Sequence, residues 1–126
     1  MNRFLMLMLL GTTFTCSVHA QEKHGDSHAP KYGGVVIETK IADLELVAKP
    51  ELIQIYPSDH GKPMKLTSAT GKITVFNGND KTEAPLALVA DRLEAKGNFK
   101  VAAGTKVLAE VGLNGKPAVS ARFTLK

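Results

Sequence analysis

The sequence predicts an all-β domain, a sandwich or a barrel, on three observations. Apolar residues recur with period two from Val35 onward, the spacing that sends alternate side chains to one face of a strand. Gly, Pro, Asn and Asp separate these runs at short intervals, as turns between short strands require. No segment holds an i, i+3, i+4 apolar pattern over about ten residues, so no amphipathic helix is indicated.

The strands are read off in order. Leu44, Leu46 and Ala48 alternate with Glu45, Val47 and Lys49. Ile53 and Ile55 follow Pro50, and Ile73 and Val75 alternate with Lys72 and Thr74. Leu86 and Leu88 continue the series, then Leu93 and Ala95. Residues 84–95 have a helix-friendly composition, but Pro85 near the start makes a strand or a short turn equally acceptable. Val107, Ala109 and Val111 then face one way and Lys106 and Glu110 the other. Val119, Ala121, Phe123 and Leu125 close the chain, alternating with Ser120, Arg122 and Thr124.

The last two strands allow a register argument. Asn114-Gly115 is the usual signal for a two-residue hairpin loop. Such a loop pairs Ala109 with Ser120, an inward residue with an outward one, and a one-residue slip flips every side chain. The parity-conserving alternative pairs Gly112 with Lys116, Ala109 with Val119 and Val107 with Ala121. It makes Leu113-Asn114-Gly115 the loop, with Gly115 at positive φ.

Residues 1–20 read as a secretory signal peptide. Arg3 precedes the apolar run from Phe4 to Leu10, and Val18-His19-Ala20 puts small residues at the −3 and −1 positions before Gln21. The run is about half of a membrane span, so cleavage between Ala20 and Gln21 and no stable membrane insertion afterwards are expected. Cys16 leaves with the leader. The processed chain then has no thiolate, which excludes disulfides and cysteine chemistry. Arg3 leaves too, and the formal charge falls from +4 to +3. The lysines are scattered singly, with no basic run and no interleaved aromatics, so nucleic acid is not an expected partner.

Residues 21–32 read as a flexible polar arm and 33–126 as the sandwich domain. Within the arm, His24, Asp26 and His28 stand close together. Imidazole and carboxylate suit Cu(II), Zn(II), Ni(II) or Co(II), although ordering a floppy segment costs about 1–2 kcal/mol per residue. Asp59-His60-Gly61-Lys62-Pro63 has the composition of a turn, which leaves His60 and the nearby Met64 unexplained. Imidazole with thioether favours copper, Cu(I) above all. The metal candidates are therefore His24, Asp26, His28, Asp59, His60 and Met64, and a copper or zinc ion is the candidate cofactor. Gly-x-Ser-x-Gly, phosphate loops and clustered carboxylate pairs are all missing from the sequence, so no enzyme is expected.

Gly33-Gly34, Glu45-Leu46-Val47, Tyr56 with Asp59-His60-Gly61-Lys62-Pro63, and the closing Ala121-Arg122-Phe123 give the chain a further likeness. Residues 33–126 resemble small periplasmic proteins associated with heavy-metal efflux. They also resemble a module at the N-terminus of some periplasmic adaptor subunits of resistance-nodulation-division metal exporters. Members of that group often carry histidine before the double glycine, where this chain has Tyr32. The resemblance implies an immunoglobulin-like antiparallel β-sandwich, here of about seven to eight strands. It also implies a periplasmic accessory role in efflux of or resistance to copper, zinc, cobalt or cadmium. Such a protein would bind metal weakly or dock on an adaptor or another export component. The alternative is a metal-free periplasmic protein-interaction module.

Overall fold

The computed structural model describes residues 29–126. The leader, its cleavage site at Ala20 and Gln21, and the arm residues His24, Asp26 and His28 lie outside the described residues. Ten strands follow one another: β1 (Val35–Glu38), β2 (Asp43–Ala48), β3 (Leu52–Asp59), β4 (Lys62–Pro63), β5 (Ala69–Asn77), β6 (Asp80–Pro85), β7 (Ala87–Val89), β8 (Arg92–Lys96), β9 (Lys106–Leu113) and β10 (Val119–Thr124). Ten segments stand where seven or eight were expected because β4 has two residues and β7 three.

The strands form two antiparallel sheets. The first runs β1-β2-β3-β8-β7, with β4 attached to β3, and the second runs β10-β9-β5-β6. Period two does what it predicts on both. Leu44, Leu46, Ile53, Ile55, Leu93 and Ala95 of the first sheet are buried in one cluster with Ile73, Val75, Val107, Ala109, Ala121 and Phe123 of the second. Full burial of the Leu, Ile, Val and Phe side chains among them stabilises by about 1.5–3 kcal/mol each. Phe99, in the β8–β9 connection, joins the cluster and donates its N–H to the Pro50 carbonyl at 2.6 Å.

One detail departs from the sequence reading. Leu88 is on the same row as the buried Leu93 but is 37% exposed. It belongs to β7, an edge strand with a neighbour on one side only. The stretch 84–95 is strand, turn and strand, with Ala90 at φ 52° in the β7–β8 turn.

The β9–β10 hairpin corrects the register. Val107 pairs with Phe123, Ala109 with Ala121 and Val111 with Val119, two residues away from the predicted pairing but with the same parity. The rejected two-residue loop does form. Asn114 and Gly115 have φ of 52° and 76°, and Lys116 N–H closes on Leu113 O at 2.9 Å. Parity survives because the strand ladder begins only at Val119. Residues 116–118 take up one extra residue there, and Pro117, with no N–H, cannot extend the ladder.

Candidate functional site

The Asp59-His60 turn lies at one end of the first sheet. β3 finishes at Asp59, which pairs with Lys62 across a two-residue loop. His60 and Gly61 have φ of 48° and 80°, the twist that suits a tight hairpin. The imidazole Nε2 of His60 is 3.4 Å from Asp59 Oδ1, with the two side chains 94% and 70% exposed. These two of the predicted ligands are brought together. Met64 is not part of the pair: its side chain packs against the hydrophobic core, and its N–H donates to Pro57 O at 3.2 Å. Among the described residues no group of three or more His, Cys, Asp or Glu converges to hold a metal ion. Asp59 and His60 thus supply two donors, an incomplete coordination shell for zinc or copper.

The chain entering the domain comes back over this end of the sheet. Residues 31–34 form a strap across the outer face of β2, held by Glu45. One Glu45 oxygen accepts the Lys31 N–H at 2.6 Å, and the other accepts those of Tyr32 at 2.8 Å and Gly34 at 3.0 Å. Glu45 is only 6% exposed, and those N–H groups satisfy a carboxylate that would otherwise be costly to bury. The Tyr32 ring stacks on Tyr56, centroids 3.9 Å apart and planes 18° from parallel. Lys31 Nζ donates to the carbonyl of Gly61, in the hairpin loop itself. Gly34 is required sterically, since a Cβ there would lie 2.2 Å from Leu46 O. Lys31 and Tyr32, expected within the flexible arm, are fastened to the domain. The crevice beneath the strap, between Lys31, Tyr56, Ser58 and Pro63, encloses about 30 Å³, the volume of roughly one water.

A polar row continues from the stack along the same face. Tyr56 O–H donates to Gln54 Oε1 at 3.2 Å, and Gln54 Nε2 donates to Glu94 Oε2 at 2.8 Å. Arg92 Nε donates to the same Glu94 oxygen at 2.9 Å. The Gln54 amide first, and the Arg92 guanidinium with it, hold the Glu94 carboxyl below its ordinary pKa. The hydrogen bond that Arg92 donates to Glu94 likewise raises the pKa of Arg92. Gln54 can serve both neighbours because an amide both donates and accepts.

The sequence reading gave Glu45 only as a residue alternating with Leu44 and Leu46, and left Tyr32 and Lys31 in the arm. The double glycine before β1 is the one local signal of a close backbone approach. Its partner is 11–14 residues away from the donors, and no periodicity reports such a pairing. Compared with known proteins, the chain matches no family model, no curated protein and no solved structure.

Proposed function

We propose that this chain is a non-enzymatic periplasmic accessory of heavy-metal efflux or resistance. In this reading the domain is an immunoglobulin-like sandwich that binds a copper or zinc ion weakly at the Asp59-His60 hairpin, together with the arm that precedes the strap. The crossings from one sheet to the other after β4, β6 and β8 are in keeping with that fold. One observation supports the shared site above the rest: Lys31 ties the strap to Gly61, the residue next to His60. Covalent reach does the remainder. His28 is three residues before Lys31 and His24 seven, and extended chain spans about 3.3 Å per residue. With the strap already fixed, fewer residues remain to be ordered when the arm's donors join the hairpin's pair.

Calorimetric titration of the processed protein with Zn(II) and Cu(II) tests this. His60→Ala and a deletion of residues 21–28, which leaves the strap, should each weaken binding strongly. The combined variant should lose little more, because the two halves serve one site. Absence of binding at micromolar protein would end the metal reading. Additive losses would mean two separate weak sites.

A second reading, a metal-free protein-interaction module, is favoured by the outer face of the second sheet, where Phe76 is 39% exposed.

A further inference from the structure

The two outer faces of the sandwich are finished differently. That of the first sheet carries the strap, and Arg92 there is paired with Glu94 at 2.9 Å. On the second sheet nothing among the described residues crosses the corresponding face. Its central rows place Lys106 beside Phe76 and opposite Thr124, and Leu108 between Thr74 and Arg122. Phe76 and Leu108 are thus diagonal neighbours, as are Lys106 and Arg122, at about 7–8 Å in an antiparallel pair. A shallow cleft of about 400 Å³ lies over Phe76, Lys106, Leu108, Arg122 and Thr124. Lys81 on this face has an ion-pair partner, Glu83 at 3.5 Å. Among the described residues the side chains of Lys106 and Arg122 have none.

A single exposed phenylalanine is ordinary. Here it shares a cleft with a leucine and two cations that have no ion-pair partner among the described residues, and that combination has a complement. We infer that this face docks an acidic segment of a partner protein, one that presents an apolar side chain to Phe76 and Leu108 and carboxylates to Lys106 and Arg122. Charge complementarity selects the partner. A bilayer of anionic lipid fits less well, because Glu83 and Glu110 lie on the same face and a flat negative surface would meet them as well. A narrow segment avoids both. The inference deepens the interaction reading and does not depend on metal.

The probe is a capped peptide, Glu-Ser-Leu-Ser-Glu, added to 15N-labelled processed protein and followed by NMR. Amide shifts should concentrate at Thr74, Phe76 and Leu108. They should weaken at 0.5 M salt, where the screening length falls to about 4 Å. Arg122→Gln or Lys106→Gln should weaken binding about two- to fivefold, and Lys106→Glu with Arg122→Glu at least about tenfold. The Gln-Ser-Leu-Ser-Gln control should bind no better than that double variant. Tyr32 and Tyr56, the only tyrosines in a chain without tryptophan, lie on the other sheet, so their near-ultraviolet circular dichroism checks folding independently of the patch. No shifts at millimolar peptide, or shifts unchanged in the double variant, overturn the inference. Cosedimentation with phosphatidylglycerol vesicles without peptide binding overturns it in favour of a lipid surface. Zinc and copper titrations should be the same for the double variant and the parent, which keeps this test separate from the metal proposal.

Discussion

The turns Asp59-His60-Gly61-Lys62 and Leu113-Asn114-Gly115-Lys116 each put two consecutive residues at positive φ, 48° and 80° in the first and 52° and 76° in the second. A side chain in that region costs about 1–2 kcal/mol, and the two hairpins deal with the cost in opposite ways. Asn114 recovers it. Its Oδ1 accepts Thr67 N–H at 2.8 Å, Ser68 N–H at 3.5 Å and the Thr67 hydroxyl at 3.2 Å, while its Nδ2 donates to Lys65 O at 3.1 Å. The turn is thereby stitched to the segment that leads into β5. Among the described residues the His60 side chain has only its neighbour Asp59, at 3.4 Å, and it is 94% exposed. The same backbone is explained by the fold in one hairpin and not in the other. A strained residue that the fold does not compensate is where a functional role is first sought.

The largest difference between the hairpins should appear on side-chain removal. Asn114→Ala loses the stitching and keeps the positive φ, and it should cost about 2–3 kcal/mol. His60→Ala should lie within about 0.5 kcal/mol of the parent. Urea unfolding of both variants measures the contrast. Equal losses would remove the distinction on which the functional reading of His60 rests.

The glycines should show the opposite result. Gly115→Val and Gly61→Val should each cost about 1–2 kcal/mol through backbone strain. At Gly115 an added Cβ meets nothing within 4 Å, so the loss there comes chiefly from the positive φ. If Gly115→Val unfolds like the parent, the positive φ is not enforced. If Gly61→Val costs much more than Gly115→Val, the Lys31 contact to the Gly61 carbonyl contributes beyond the turn.

These two turns also mark what sequence could and could not tell. Local chemistry was legible. Period two placed Leu44, Leu46, Ile53, Ile55, Val107, Ala109 and Phe123 in the core, where they are buried, and Gly115 was placed at positive φ. The exact pairing was not, because a bulge of one residue around Pro117 restores parity as effectively as a longer loop does. Contacts between segments distant in sequence were hidden altogether. Asn114 reaches Lys65 across 49 positions, and Glu45 gathers donors from the arm. Both residues are polar ones whose role depends on what folds against them, and neither period nor propensity carries that information. For the candidate site the same limit applies: Asp59 and His60 are sequence neighbours and stay together, whereas Met64, four residues beyond His60, packs against the core.

The strap offers a smaller effect and a sharper one. Glu45→Gln keeps the shape but replaces a carboxylate acceptor with an amide whose NH2 cannot accept. Undocking of the strap into water bounds the loss, so about 1 kcal/mol of global stability is expected. The clearer readout is spectroscopic. The Tyr32–Tyr56 stack is the whole tyrosine population of the chain, so its near-ultraviolet dichroism should fall towards that of free tyrosine. β3 and β4 pair through their own backbones, so NMR should show the first hairpin still formed. A hairpin that melts with the strap would make Lys31 as necessary to the first turn as Asn114 is to the second.

The smallest change concerns His60 itself and has the most consequence for function. His60→Gly removes a side chain from a backbone conformation glycine adopts freely. The relief of about 1–2 kcal/mol is partly offset by the greater entropy of glycine in the unfolded chain, about 0.5–1 kcal/mol. The net should be a gain of about 0.5 kcal/mol. The parallel change Asn114→Gly should still destabilise, since it relieves the same strain but gives up four hydrogen bonds. If His60 is retained for metal, His60→Gly should unfold at slightly higher urea than the parent and bind Zn(II) or Cu(II) more weakly, stability gained as function is lost. A stabilised variant with unchanged metal affinity would leave His60 strained without a metal role. A destabilised one would show that the imidazole contributes to the fold through its contact with Asp59, and the contrast between the two hairpins would then be one of degree.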